Sequence, residues 1–171
     1  MYEEIIEDMR GRISPKRFAH ILGVARAAMA LADRYGEPVE HAYVAGLLHD
    51  CAKELPLSTM QQLVDEAGIR VDRELYRNGA LLHGVAGAVM ATDRYGVTDP
   101  DILEAIRVHT TGKLSMSQLD KIIFLADYIE ETRDFPGVDE LRRLAFQDLD
   151  RAVLAGYDNT IRHLLDQGIP I

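Results

Sequence analysis

The eleven residues from Ala45 to Leu55, AGLLHDCAKEL, begin as an apolar helix and end by setting His49, Asp50 and Lys53 close together. A histidine, a carboxylate and a lysine in an apolar segment each cost desolvation free energy unless a partner meets them. A metal ion holding a phosphate would meet all three. Successive helical residues point about 100° apart, so His49 and Asp50 could flank an ion at the edge between their faces. Lys53, three residues beyond Asp50, lies on the carboxylate's side and reaches a ligand oxygen bound there. The same residues also admit a structural reading, with the histidine bonded to backbone and the lysine solvated. Their company elsewhere in the chain decides.

Working outward, almost every segment repeats apolar residues at three and four positions, and the punctuation is of the helix-capping kind. A first helix covers Tyr2 to Arg10, with Gly11 ending it. Ser14 and Pro15 are an N-cap and first-turn pair opening a long helix to Tyr35, which stops at Gly36. In that helix His20 aligns with Val24, Ala27 and Leu31 on an inward stripe, and Arg17 sits one turn earlier on the same side. Pro38 starts the helix carrying the opening stretch and Pro56 marks its end. Ser58 is read as the cap of a short helix through Ala67.

A helix from Ala80 to Tyr95 places His83 over Ala86, Gly87 and Met90, small or pliable residues that let another helix or a ligand approach. Asp99 and Pro100 open a helix with Ile102, Ile106 and His109 on one face; Thr110, Thr111 and Gly112 break it. Ser117 and Asp120 form a capping box before KIIFLADYIEE, where Asp127 shares its face with Ile123 and Phe124 and wants a partner. Asp139 is read as the cap of a last helical stretch, broken before Leu165. The GIPI end is expected to fray. These segments predict an all-α bundle of about six to nine helices, forming one domain over residues 1–171.

Composition bounds what such a bundle can do. Apolar residues make up 47% and charged residues 27%, ordinary for a globular protein. The start, MYEEIIEDMRGR, is acidic where a secretory signal is basic and then apolar, and no apolar run is long enough to span a bilayer, so no membrane association and a cytoplasmic location are expected. The net charge of −9 argues against a groove that tracks nucleic acid. An anionic substrate would need a metal and a few local cations. The one cysteine, Cys51, fits a buried filler.

The inward polar residues are His20, His49, Asp50, His83, His109 and Asp127, on five separate segments. Imidazole and carboxylate suit a divalent ion, and four such groups with open positions suit a hydrolytic centre. His41 and His163 have no such company and are read as surface or helix-flank residues.

A histidine, a His-Asp doublet and a distant aspartate on separate helices resemble the HD-domain phosphohydrolases; here they are His20, His49 with Asp50, and Asp127. The longer segments GLLHDCAKEL, LLHG, RVHTTG, LDKIIFLADYIE and FPGVDELR are similar to the bacterial symmetrical diadenosine tetraphosphate hydrolase branch, over nearly the whole chain. The resemblance implies an all-helical HD domain with an iron-type metal at His20, His49, Asp50 and Asp127 and a nucleotide phosphate beside it. His83 and His109 match positions near the phosphates, where they either touch phosphate or hold a second metal. Arg17, Lys53, Thr110 and Arg133 match positions that cradle phosphate or nucleotide. Two departures stand out: Glu131 replaces a proline of the YIEPxR pattern, and the chain ends at Ile171, short of a tail that helps cover the nucleotide in relatives. A looser hold on base and ribose is expected from the second.

The expected reaction is metal-assisted hydrolysis of diadenosine tetraphosphate to two ADP, with Asp50, Lys53, His83 and His109 as its catalytic groups. Rival readings keep the site but change the nucleotide, keep the metal in a nucleotide-binding sensor with little turnover, or leave only a structural bundle. A leftover apolar helix surface would suit a homodimer.

Overall fold

The computed structural model describes residues 2–169; Pro170 and Ile171, the end of the expected frayed tail, lie outside the described residues. Within them are ten helices and no strand: α1 Tyr2–Arg12, α2 Pro15–Tyr35, α3 Val39–Leu48, α4 Leu57–Glu66, α5 Arg73–Arg77, α6 Gly79–Tyr95, α7 Pro100–Val108, α8 Gln118–Ile129, α9 Val138–Gln147 and α10 Leu149–Asp166. The all-α expectation holds. The tally exceeds the expected six to nine, because the one-turn α5, capped by the Asp72 side chain, carries too little apolar periodicity to be seen in the sequence.

Local chemistry explains the strongest boundaries. The Ser14 hydroxyl accepts from Arg17 N, and Gly36 closes α2 at φ 72°, a left-handed geometry that glycine adopts freely. Ser117 and Asp120 form the reciprocal box that starts α8, and Asp99 caps α7. Other boundaries differ from expectation. Gly11 does not end α1, which runs on to Arg12. Pro56, not Ser58, precedes α4, and makes no side-chain cap bond. Gly137 at φ 91° precedes α9, leaving Asp139 in the first turn as a favourable acid at the helix N-terminus. The last stretch does break, at Asp148, whose side chain caps α10.

The opening stretch departs most. Its helix stops at Leu48, and residues 49–54 continue as tight turns, with Cys51 N bonded to Leu48 O at 3.0 Å and Lys53 N to Asp50 O at 3.0 Å. Each of these bonds spans three residues rather than four, and His49 Nε2 and Asp50 Oδ2 lie 3.6 Å apart where the helix gives way to them.

Helices α2, α3, α7 and α8 pack against one another at the centre, with α4 to α6 on one flank and α9 and α10 on the other. The core runs through Ile21, Leu31, Leu47, Leu48, Ile106, Ile122, Ile123 and Phe124, all at most 1% exposed. Gly46 brings α3 onto α2 so closely that a Cβ there would sit 2.8 Å from Ala25 Cα. This approach sets His20 of α2 beside the doublet at the end of α3. No helix among the described residues is long and apolar enough to cross a membrane.

Candidate active site

Six polar side chains converge where the ends of α3, α7 and α8 meet the N-terminal third of α2 and the start of α6. His20, His49, Asp50, His83 and His109 are buried, although an apolar core has no need of them. Asp127 keeps 22% of its side chain exposed, which makes it the edge of the cluster that faces solvent.

Backbone and side-chain acceptors fix how the imidazoles point. His49 Nδ1 lies 2.7 Å from Gly46 O and His109 Nδ1 2.7 Å from Ile106 O. A carbonyl only accepts, so each Nδ1 carries the proton and each Nε2 offers a lone pair inward. His20 Nδ1 is held in the same way by Glu130 Oε1 at 3.0 Å. The Nε2 atoms of His20 and His49 are buried without a hydrogen-bond partner. A buried, unpaired ring nitrogen is costly, and two aimed at one point with carboxylates beside them fit a divalent ion.

Asp50 joins two halves of the cluster. Its Oδ2 faces His20 Nε2 at 3.7 Å and His49 Nε2 at 3.6 Å, and its Oδ1 faces His83 Nε2 at 3.1 Å and His109 Nε2 at 3.6 Å. Asp127 Oδ1 completes the first half, 3.1 Å from His20 Nε2 and 4.0 Å from His49 Nε2. Three overlapping trios have ligand atoms close enough to share an ion: His20, His49 and Asp50; His49, His109 and Asp127; and Asp50, His83 and His109.

Electrostatics keep His49, Asp50 and Asp127 in ligand form. Burial draws the His49 pKa down to about 4 against the pull of Asp50 and Asp127, so the ring is neutral. Burial alone would raise Asp50, but His49, His109 and His83 outweigh it and hold the carboxyl well below its usual range. Asp127 is likewise lowered, because His20, His49 and Arg133 overcome its desolvation. For His20, burial lowers the pKa and Asp127 and Glu130 more than restore it.

Cations and one hydroxyl surround the cluster. Arg17 Nη1 meets Asp50 Oδ2 at 2.5 Å. Arg133 donates from Nε to Asp127 O at 2.7 Å and from a terminal nitrogen to the Asp127 carboxylate. Thr110 Oγ1 stands 3.1 Å from His109 Nε2 and 3.3 Å from His83 Nε2. Lys53 approaches the Asp50 side of the cluster through His83, whose Nε2 is 3.1 Å from Asp50 Oδ1. Its Nζ lies 3.3 Å from His83 Nε2 and 3.4 Å from Nδ1, and burial lowers its pKa.

One residue of the site is absent from the sequence reading: Glu130 is 1% exposed and holds His20 while accepting from Thr132 N at 2.7 Å. His163 is exposed on α10, as expected of a surface residue, and it also lines a cavity of about 720 Å³ together with His109, Asp127 and Arg133. A second cavity, of about 520 Å³, reaches the cluster at His20 and is lined by Arg17, Glu130 and Arg133 among others. His41 is as expected, on a flank, 3.8 Å from Asp99.

Comparison with known proteins agrees with this geometry. The HD domain family matches residues 17–132. A protein of Bacillus subtilis named symmetrical bis(5'-nucleosyl)-tetraphosphatase is 38% identical over 99% of this chain and 90% of its own length. A protein of the same name from Halalkalibacterium halodurans is 40% identical over 95% of this chain and 87% of its own. The crystal structure of a predicted HD superfamily hydrolase involved in NAD metabolism, from Clostridium acetobutylicum, superposes with a TM-score of 0.97 at 44% identity, covering all of this chain and 90% of that one. Family membership carries with it a divalent metal, and the buried His and Asp cluster has the ligand atoms to hold one. The chain belongs to the HD-domain family of metal-dependent phosphohydrolases, in the branch whose members bear the symmetrical tetraphosphatase name.

Proposed function

We propose that this chain hydrolyses diadenosine tetraphosphate symmetrically to two ADP, acting as one domain over residues 1–171. The observation that carries the reading is the pair of unpartnered buried Nε2 atoms, on His20 and His49, aimed with Asp50 and Asp127 at one point beside arginine-lined cavities. His20, His49, Asp50 and Asp127 would hold the principal ion. Asp50 Oδ1 with His83 and His109 would hold a second or touch phosphate. When bound, the metal supplies charge screening and a water whose pKa falls toward neutrality. The chemistry of these nitrogen and oxygen donors does not choose among divalent metals; iron is proposed from the resemblance.

The chain's own groups do the positioning. Arg17, Lys53, Thr110 and Arg133 hold phosphoryl oxygens, and the cations stabilise the charge that develops there. Asp50 or Asp127, both kept ionised, accepts a proton from the attacking water. One water oxygen bonds to an inner phosphorus, the central bridging P–O bond breaks, and its electron pair leaves with the second ADP. The two water protons pass to solvent as both products ionise. The reaction suits a cytoplasmic protein. The exposed Leu154 and Leu165 of α10, at 68% and 61%, would suit contact with a second copy.

A second reading keeps the site and changes the nucleotide. It is favoured by the crystallographic relative's description as acting in NAD metabolism. Product analysis on anaerobically iron-loaded protein separates the two: ADP as sole product of the tetraphosphate supports the first reading. Release of AMP with ATP, or turnover of other nucleotides only, overturns it.

A further inference from the structure

Two cavities reach the cluster, each by its own cluster residues, and they share part of their lining. Arg133 and Phe135 line both of them. His20 is the cluster residue in the smaller cavity, and His109 with Asp127 are those in the larger. Each volume, about 520 and about 720 Å³, is within the ~300–1,000 Å³ of a site that takes one small ligand.

Their linings differ in chemistry. The larger is walled by Tyr128, Phe135 and Pro136, flat apolar surfaces on which a purine can stack. The smaller is polar and opens at the start of α2, where Lys16 and Arg17 face it. Its acids are mostly engaged: Glu54 accepts from Ser14 N at 2.8 Å and Ser14 Oγ at 2.6 Å, and Glu130 is held by His20 and Thr132. Asp134 is the remaining acid and can accept from ribose hydroxyls, as acidic residues do in other nucleotide sites. Arg17 Nε is buried with no hydrogen-bond partner, and Lys16 has no ion-pair partner among the described residues. The nearest carboxylate oxygen to Arg17 Nε is Glu54 Oε1, at 3.9 Å, too far for a hydrogen bond. A lysine without an ion pair beside a guanidinium nitrogen without a hydrogen bond, in an acidic protein, marks a place for an anion.

We propose that the smaller cavity is a second nucleotide subsite, in which Lys16 and Arg17 hold the diphosphate of one ADP half while the larger cavity holds the other. This rests on the tetraphosphate reading and deepens it. A substrate with two equal arms, one in each cavity and laid past the shared Arg133 and Phe135, places its central bridge at the His and Asp cluster, so that cleavage is symmetrical. Lys16 thereby sets the preference for a two-nucleoside substrate over a mononucleotide.

The test is titration calorimetry on the full chain loaded with manganese, using ADP and diadenosine tetraphosphate with a methylene group at the central bridge. Wild type is expected to bind two ADP and one analogue per chain. Lys16→Glu, an acid placed favourably in the first turn of α2, leaves folding intact. It should weaken the analogue and one of the two ADP sites about tenfold and spare the other; Lys16→Gln should do the same to a smaller degree. A single ADP site in wild type, or an equal loss at both sites, overturns the proposal. Turnover is read separately: a chain that leaves the tetraphosphate uncut removes the proposed reaction, while the ADP stoichiometry still decides the second subsite.

Discussion

Glu130 Oε1 lies 3.0 Å from His20 Nδ1, on the side of the ring away from the cluster. The carboxylate fixes the tautomer and turns Nε2 inward, as the outer partners of metal-bound histidines do. Glu130→Gln keeps the size and gives up the charge. Metal affinity and activity should fall by about 10- to 100-fold, with the far-ultraviolet circular dichroism unchanged. Unaltered metal binding by equilibrium dialysis would show that His20 orients without its partner.

Gly23 offers a second route to the same effect. A Cβ there would sit 2.5 Å from Glu130 Oε2, and the carboxylate cannot retreat without leaving His20 or Thr132. Gly23→Ala should lower metal affinity much as Glu130→Gln does, although residue 23 is not itself a proposed ligand. In the double variant the two losses should not add, because both act on one side chain.

Asp50 presents one oxygen to each half of the cluster, so its removal should be felt in both. Asp50→Ala is expected to abolish stoichiometric metal and to reduce hydrolysis by more than about a thousandfold, since it removes ligand and charge together. Helicity should persist, because Asp50 lies in the turns after α3 and supports no helix. Elemental analysis of the purified variant decides: bound metal at the wild-type ratio would exclude Asp50 as a ligand.

The sequence made part of this site readable and hid the rest for identifiable reasons. His20, His109 and Asp127 could be placed because each falls on an apolar stripe of a well-capped helix, where a polar residue stands out. Glu130 gave the same signal, at seven positions from Ile123 and three from Asp127 in KIIFLADYIEE, but the following Glu131 makes the pair look like a solvated helix end. The turns at 49–54 were hidden because AGLLHDCAKEL has good helical propensity throughout, and the demand that overrides it is set by α2, α6 and α7, far away in sequence. His163 is exposed on α10, and only the fold of the 131–137 loop toward that helix makes it a cavity residue.

Acid should loosen the first helix before the core. Asp8 of α1 accepts from Arg94 Nε and Tyr95 Oη, each at 2.8 Å, and chiefly the Arg94 bond lowers its pKa from 3.8 to about 2. A folded pKa below the unfolded one means that the contribution is fully present above about pH 4 and is lost as pH falls toward 2. The groups are partly exposed, so the contribution is at most about 1 kcal/mol. Melting temperatures at pH 5 and pH 2.5 should therefore differ more for wild type than for Asp8→Asn; equal differences would assign no linkage to this pair.

Gly84 lets α6 lie close against α7 beside the site. A Cβ on Gly84 would lie 2.7 Å from Arg107 O, a main-chain atom that cannot swing aside as a side chain would. Gly84→Ala must push the two helices apart, and overpacking of this kind costs about 1–3 kcal/mol. The displacement falls on neighbours of the site, because His83 precedes Gly84 and His109 follows α7, with their Nε2 atoms 3.0 Å apart. The variant should lose stability in urea unfolding and, at temperatures where it is fully folded, also lose affinity for any ion held by Asp50, His83 and His109. Gly87→Ala is the control: its Cβ would lie 3.4 Å from Ile106 Cγ2 and 3.5 Å from His49 O, contacts near the ordinary range, so its effect should be smaller on both counts. If the two substitutions behave alike, the tight crossing at Gly84 does not govern the placement of the histidine pair.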